Sequence, residues 1–119
     1  MLYDAKGFEK IYIATGYTDL RKGIDGLARM VQETFSQNPF SKNTIFMFCG
    51  KSSKKIKALC WEGDGFVLLY KRLEDGKYHW PRNKQEAMEI TQKQFEYLMD
   101  GMDVIQKQSI KQVNPEYVG

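Results

Sequence analysis

The feature that most constrains this fold is a pair of β-type runs joined by a very short turn. The runs are residues 54–61 and 66–73, and the glycine-rich tetrapeptide 62–65 (EGDG) separates them. This arrangement predicts a β-hairpin, around which the chain must build an antiparallel sheet. On one face the predicted cross-strand pairs are Trp61–Phe66, Leu59–Leu68, Lys57–Tyr70 and Lys55–Arg72.

The two faces of this hairpin differ in chemistry. One face is mostly small and aliphatic and is predicted to receive the first helix; it holds Ile56, Ala58, Cys60, Val67 and Leu69, with Lys71 opposite Ile56. A second turn signal, Asp75-Gly76, predicts a further strand at residues 77–80 before Pro81, with Tyr78 opposite Leu73 and His79 opposite Arg72. The other face then mixes Trp61, Phe66, Tyr70 and His79 with Lys55, Lys57 and Arg72. Whether the second helix covers the Trp61 end of this face stays open.

The remaining periodicities complete an α+β fold. Residues 11–14 and 44–49 are predicted strands, and residues 82–89 are predicted to form a polar loop. The first helix follows the first strand and ends at Asn38-Pro39; its apolar stripe is Ile24, Leu27, Ala28, Val31 and Phe35. A capping box at residues 91–94 opens a second helix near the C-terminus, with the stripe Phe95, Leu98, Met99 and Met102 and with Gly101 near its end. The expected architecture is an antiparallel meander of about four or five strands with these two helices.

Length and composition bound the class of protein. The chain has 119 residues, of which 42% are hydrophobic. We expect one domain over residues 1–103 and a loosely ordered tail over residues 104–119. No membrane-spanning run or export signal is visible, so a cytoplasmic location is expected. Cys49 and Cys60 are therefore expected to be buried thiols, in preference to a disulfide.

The segment 18–27 (TDLRKGIDGL) makes unusual choices for a helix start. Thr18 or Asp19 is predicted to cap the helix, which puts Arg21 and Lys22 in the first turn, where the helix dipole disfavours cations. Gly23 and Gly26 follow, although glycine costs about 1 kcal/mol relative to alanine inside a helix. These choices indicate an anionic partner or a close backbone approach. Charge along the chain points the same way, because residues 42–84 carry ten basic and four acidic side chains.

Other chemistries find weaker support in the sequence. Gly50-Lys51-Ser52 resembles the end of a phosphate-binding loop, but Ile45 stands where that motif needs glycine. The single histidine and the separated cysteines make no metal-ligand set, and no cofactor is expected. The carboxylates that could hold Mg²⁺ for a nuclease each have a structural role as cap, ion-pair partner or turn residue: Asp19, Asp25, Glu62, Asp64 and Asp75. No catalytic residue is predicted, and a metal-dependent nuclease is the weakest alternative.

Three ordered blocks carry a family resemblance: residues 14–27 (ATGYTDLRKGIDGL), 57–81 (KALCWEGDGFVLLYKRLEDGKYHWP) and 90–103 (ITQKQFEYLMDGMD). The chain resembles the small TnpB-type accessory protein of bacterial insertion sequences, the second open reading frame product, encoded beside a separate transposase. Leu20 and Ile24 stand where that family often has Met and Phe, and the tail lies outside its pattern. The resemblance implies an accessory role in DNA transposition and supplies no catalytic residues.

Together these observations predict a non-catalytic accessory protein that binds DNA, the transposase or both through a basic hairpin surface. Cations on that surface displace counterions from phosphates, and rings stack on bases. The predicted phosphate-binding residues are Arg21, Lys22, Lys55, Lys57, Lys71 and Arg72, and Tyr70 and His79 are predicted to stack or hydrogen-bond. The alternative is a protein-interaction module that uses the acidic, Met-rich last helix and the glycine flank to dock the transposase or a second copy. The oligomeric state is not predicted.

Overall fold

A computed structural model describes residues 7–105, which form one five-stranded sheet covered by helices on both faces. The elements in chain order are β1 (Lys10–Ala14), α1 (Ile24–Arg29), β2 (Thr44–Cys49), β3 (Lys55–Trp61), β4 (Phe66–Arg72), β5 (Ala87–Ile90) and α2 (Gln92–Met99). A π-helical turn, Met30–Thr34, continues α1. The spatial order of the strands is β4-β3-β2-β1-β5. The α+β class is confirmed, as are one helix after the first strand and a second near the C-terminus, and the number of strands agrees with the predicted four or five.

The sheet is mixed, so the prediction of a purely antiparallel meander is wrong in one respect. β1 and β2 run parallel, with Lys10 beside Thr44 and Ala14 beside Phe48. Parallel neighbours need a crossover connection, and α1 provides it. The antiparallel pattern holds for β2, β3 and β4, where short turns connect the strands. The predicted β3–β4 register is confirmed from Trp61–Phe66 to Lys55–Arg72.

The segment after β4 differs from its prediction. Residues 77–80 are not a strand. The predicted polar loop 82–89 contains the first three residues of β5, which pairs antiparallel with β1 at the other edge of the sheet. The Tyr78 amide donates to the Ser53 carbonyl, so His79 and Tyr78 do not continue the β4 ladder. Burial explains the change: Tyr78 and Trp80 are 2% and 5% exposed in the core, and Trp80 Nε1 donates to the Ala14 carbonyl at 2.8 Å.

α1 covers the face opposite to the one predicted for it, and α2, whose position the sequence left open, covers the aliphatic face. α1 packs on the face that carries Leu59, Phe66 and Leu68, whereas α2 packs on the aliphatic face with Ile56 and Ala58. The right-handed preference of β–α–β crossovers favours one face of the sheet for the connecting helix, and the hairpin residues alone do not reveal which face that is. Therefore α1, not α2, lies on the aromatic-basic face, and at the Trp61 end of that face the Trp61 ring contacts the rings of Phe40 and Phe66.

The start of α1 also corrects the sequence interpretation. The N-cap is Gly23 and makes no side-chain cap bond, so neither Thr18 nor Asp19 caps the helix. Arg21 and Lys22 lie before the helix, and the predicted dipole penalty does not apply to them. A Cβ at Gly23 would meet no atom within 4 Å, so the close backbone approach predicted there is absent. The atoms nearest to a Cβ at Gly26 would belong to the Lys22 side chain, the first of them at 3.3 Å.

α2 follows its prediction closely. The capping box is present: Thr91 Oγ1 accepts from the Gln94 amide and the Gln94 side chain accepts from the Thr91 amide. Gly101 ends the helix region with φ +79°. The stripe is buried except for Met102, which is 43% exposed because the helix ends at Met99.

Both cysteines are free, and they lie at opposite ends of the β2–β3 ladder. Cys49 is buried as predicted, whereas Cys60 is only half-buried. Val104, one residue past the predicted domain, is buried in the core with 3% of its surface exposed. Residues 106–119 of the predicted tail lie outside the described residues. In the part of the chain that the structure describes, no helix is long and apolar enough to cross a membrane.

Candidate nucleic-acid interface

An open cleft of about 790 Å³ lies on the α1 side of the sheet, beside the ends of β1 and β2. One wall is the segment after β1, a second is the turn after β2, and the floor comes from β3 and β4. We call this the basic cleft. Its lining consists of Tyr17, Thr18, Asp19, Leu20, Arg21, Gly50, Lys51, Ser52, Lys55, Lys57, Leu68 and Tyr70.

The floor follows from strand alternation. Lys55, Lys57, Leu68 and Tyr70 share one face because alternate residues of paired strands point to the same side. α1 covers this face around Leu59 and leaves the Lys55 end open. The basic cleft is therefore the part of the aromatic-basic face that α1 does not cover.

Lys57 connects the floor to the segment before α1. Its Nζ donates to the Lys22 carbonyl at 3.0 Å and lies 6.0 Å from the centre of the Tyr70 ring. These two contacts hold the ammonium group at the margin of the basic cleft, beside an exposed ring. A cation over an aromatic face is attracted by the ring quadrupole, so Lys57 also orients Tyr70.

Asp19 and Arg21 form a local clamp on the first wall. Asp19 Oδ1 accepts from the Arg21 amide at 3.0 Å, and Arg21 Nη2 donates to Asp19 Oδ2 at 2.8 Å. The hydrogen bonds from Arg21 lower the pKa of Asp19 to about 2. Asp19 is the only carboxylate among the lining residues, against Arg21 and three lysines. The basic cleft is thus electropositive, and the Arg21 side chain remains 91% exposed to solvent.

The Arg82 side chain forms hydrogen bonds with both walls of the basic cleft. Its Nη1 donates to the Gly16 carbonyl at 2.8 Å, and its Nη2 donates to the Gly50 carbonyl at 2.9 Å and to Ser53 Oγ at 3.0 Å. The Thr18 amide adds a second link by donating to the Cys49 carbonyl at 2.8 Å. The geometry of the basic cleft therefore depends on a residue outside its lining.

Two aromatic rings and an apolar strip complete the lining. Tyr17 and Tyr70 are 58% and 54% exposed, among the most exposed large apolar side chains of the described residues. Leu20 and Leu68 supply the apolar part of the lining, and Leu20 packs so close to Gly50 that a Cβ on Gly50 would stand 3.1 Å from it. The basic cleft consequently offers cations, exposed rings and an apolar floor in one place.

The structure gathers four of the predicted site residues in the basic cleft: Arg21, Lys55, Lys57 and Tyr70. Lys22 lies beside them and contributes its carbonyl to Lys57. Arg72 pairs with Lys55 in the ladder, and its guanidinium binds Glu74 at 3.0 Å.

The other two predicted residues lie elsewhere. Lys71 is adjacent to Tyr70 in β4, so its side chain leaves the opposite face of the sheet. His79 Nδ1 lies 3.3 Å from Asp103 Oδ1, in the segment that crosses to β5. Neither residue lines the basic cleft.

Sequence reasoning missed Tyr17 and Lys51 as members of the site. Lys51 belongs to the Gly50-Lys51-Ser52 turn, whose partial likeness to a phosphate-binding loop did not indicate a site. Tyr17 lies within the first family block, between β1 and Arg21. Its position in a loop that follows a buried strand was the available signal, because binding residues concentrate on such loops.

The carboxylates that could hold Mg²⁺ do not come together as a metal site among the described residues. Within residues 7–105, no group of three or more His, Cys, Asp or Glu side chains is placed to hold a metal ion. Asp19 binds Arg21, as described above.

Comparison with known proteins supports the three-block resemblance. The model of the family described as IS66 Orf2 like protein matches residues 9–109. Uncharacterized protein y4hO of Sinorhizobium fredii is 39% identical over 94 residues, which cover 79% of this chain and 81% of that protein. Uncharacterized protein y4jC of the same organism is 32% identical over 94 residues, covering 79% and 80% respectively. No solved structure matches this chain.

The match to the family model extends from the beginning of β1 to beyond α2. It therefore includes both walls and the floor of the basic cleft, as well as Arg82. The resemblance drawn from residues 14–27, 57–81 and 90–103 is confirmed, and the chain belongs to the IS66 Orf2-like family.

Proposed function

We propose that this protein is a non-catalytic accessory factor of insertion-sequence transposition that binds DNA through the basic cleft. Membership of the IS66 Orf2-like family suggests the accessory role. One observation supports DNA as the partner: the fold brings Arg21 and Lys51 from two loops next to Lys55 and Lys57 on the sheet, with a single carboxylate already bound to Arg21. Cations gathered in this way displace counterions from a phosphate backbone.

The magnitude of the salt effect follows from the number of cations. Each phosphate contact to duplex DNA contributes about −0.9 to the slope of log K against log salt, so four contacts give a slope of about −3 to −4. Between about 50 and 200 mM salt, affinity should then fall about 100-fold. Phosphate contacts carry no base identity, so the loss should be similar for unrelated sequences.

The test measures the affinity of the full chain for fluorescently labelled DNA by anisotropy, over a range of salt concentrations. The double variant Lys55→Ala, Lys57→Ala should bind more weakly and reduce the salt slope by about 2. Lys10→Ala with Lys42→Ala is the matched control, because both lysines are exposed and lie beside the start of β1 and β2, at the opposite end of the sheet. It removes the same charge and should leave the slope nearly unchanged. Equal effects of the two double variants would refute binding in the basic cleft.

A second candidate function is docking of the transposase, and one observation favours a surface for it. Phe40 is 50% exposed, and its ring contacts Trp61 and Phe66 with ring centres 5.0 and 5.2 Å away. Exposed aromatic clusters are frequent anchors of protein interfaces. Co-purification of co-expressed transposase from nuclease-treated extract, lost in Phe40→Ala and kept in the Lys55→Ala, Lys57→Ala variant, would support docking without DNA.

The proposal also predicts no cleavage of DNA. Incubation of the purified protein with labelled DNA and Mg²⁺ tests this directly. Cleavage that disappears in Asp19→Asn would contradict the non-catalytic role and support the nuclease alternative.

A further inference from the structure

We infer that the basic cleft selects single-stranded DNA, with unpaired bases stacked on Tyr17 and Tyr70. This inference rests on the proposed function, because it requires that the basic cleft binds DNA. It adds the state of the DNA, which charge alone does not specify.

The first argument is the exposure of the two rings. Tyr17 and Tyr70 are 58% and 54% exposed although both lie in a concave lining. The aromatic residues at the far end of the hairpin behave differently: Trp61 and Phe66 pack against each other with ring centres 4.9 Å apart. Bases within a duplex are already stacked on one another, so only an unpaired base offers a free face to a tyrosine ring.

The second argument is the arrangement of apolar and charged groups. Leu20 and Leu68 line the basic cleft together with the rings, while Lys55 at the beginning of β3 is exposed to solvent. A nucleotide of a single strand has the same division, with an apolar base face and an anionic phosphate. A duplex would present its phosphates to the lysines but leave the leucines and the rings without an apolar partner.

The third argument is size. The volume of about 790 Å³ falls within the range of roughly 300–1,000 Å³ that is typical of sites for small organic ligands. A short stretch of one strand suits such a space. A sequence-tolerant site is expected, since every base has a π-face on which a tyrosine ring can stack.

The test compares three labelled probes at one salt concentration: a mixed-sequence single strand, the same sequence as a duplex, and the single strand with abasic sites. The wild-type protein should bind the intact strand at least about fivefold more tightly than the duplex or the abasic strand, because each stacked base contributes about 1–3 kcal/mol. Tyr70→Ala and Tyr17→Ala should each weaken binding to the intact strand by about fivefold or more and leave duplex binding unchanged. Tyr70→Phe keeps the ring and should retain the preference.

Tyr97→Ala is the matched control. Tyr97 lies on α2, on the other side of the sheet, and Lys93 Nζ stands 5.7 Å from its ring centre, much as Lys57 stands over Tyr70. This variant should bind all three probes like the wild type. Equal or tighter binding of the duplex would overturn the single-strand inference and leave DNA binding intact. Failure to bind any probe would overturn the proposed function itself.

Discussion

Replacing Arg82 with alanine is expected to destabilise the protein and to disorganise the basic cleft at the same time. The guanidinium forms three short hydrogen bonds to Gly16, Gly50 and Ser53, at 2.8, 2.9 and 3.0 Å. These acceptors belong to the loop after β1 and the turn after β2. Arg82 is therefore a side-chain link between two segments that are far apart in sequence.

The expected loss in the free energy of unfolding follows from these three hydrogen bonds. A typical hydrogen bond contributes a net amount of about 0.5–1.5 kcal/mol. Arg82 is an exposed residue, so water replaces part of each lost bond, and we take the lower part of that range. Three bonds then give a decrease of about 2 kcal/mol in the free energy of unfolding, which lowers the melting temperature of a domain of this size by about 8 °C.

The assay is urea unfolding followed by circular dichroism, together with anisotropy of labelled DNA. Arg82→Lys keeps the charge but cannot bridge two carbonyls with a planar fork, so it should recover less than half of the loss. Lys84→Ala removes a nearby exposed cation and should change stability by less than about 0.5 kcal/mol. If the free energy of unfolding of Arg82→Ala lay within about 0.5 kcal/mol of the wild-type value, Arg82 would not be a stabilising link between the two segments. Full recovery of stability in Arg82→Lys would refute the link as well.

Three further outcomes are expected. Gly16 has φ +78°, so Gly16→Ala should cost about 1–2 kcal/mol in urea unfolding. Gly7→Ala, where a Cβ would meet no atom within 4 Å and φ is not positive, should stay within about 0.5 kcal/mol, and equal losses would contradict the backbone argument. The Thr18 hydroxyl is buried with no partner within residues 7–105, so Thr18→Val should preserve or raise the free energy of unfolding, by up to about 1 kcal/mol; a clear loss would mean that the hydroxyl is bonded. The pKa of Asp19, measured by carboxyl NMR shifts, should be about 2 and should return toward 3.8 in Arg21→Ala. Because the folded-state pKa is the lower one, the stabilisation from this pair is complete above the unfolded value of 3.8 and is lost as the pH falls through about 2. An Asp19 pKa near 3.8 in the wild type would exclude the pair in solution.

Part of the candidate site was predictable from local pattern alone. The register of the β3–β4 hairpin placed Lys55, Lys57 and Tyr70 on one face, because two-residue alternation and the turn length determine which side chains face each other. Arg21 was predicted as a site residue because it was placed in the first turn of the helix. That reason is wrong, since α1 begins at Ile24, after Arg21. Its place in the basic cleft depends on where the chain goes after β1.

The rest of the site was not predictable in the same way. Lys51 and Tyr17 join the basic cleft because β1 and β2 are parallel neighbours, so the segments after both strands meet at one edge of the sheet. Nothing in the turn sequence 50–53 states which strand is adjacent. The sequence predicts Arg82 only as part of a polar loop. Its role as a link between two segments depends on the fold, which brings the Gly16 and Gly50 carbonyls within hydrogen-bonding distance of one guanidinium.

The sequence by itself determined four of the five strands, the presence of two helices, the β3–β4 register, the capping box of α2 and the family. These properties depend on neighbours in the chain: residue periodicity, turn residues and ordered blocks. Only the tertiary structure decided that β1 is parallel to β2, that β5 replaces the predicted strand at residues 77–80, and which helix covers which face. Those choices depend on the hand of the crossover and on the burial of Tyr78 and Trp80, which are long-range effects. The basic cleft exists because α1 covers the Leu59 end of one face and leaves the Lys55 end open.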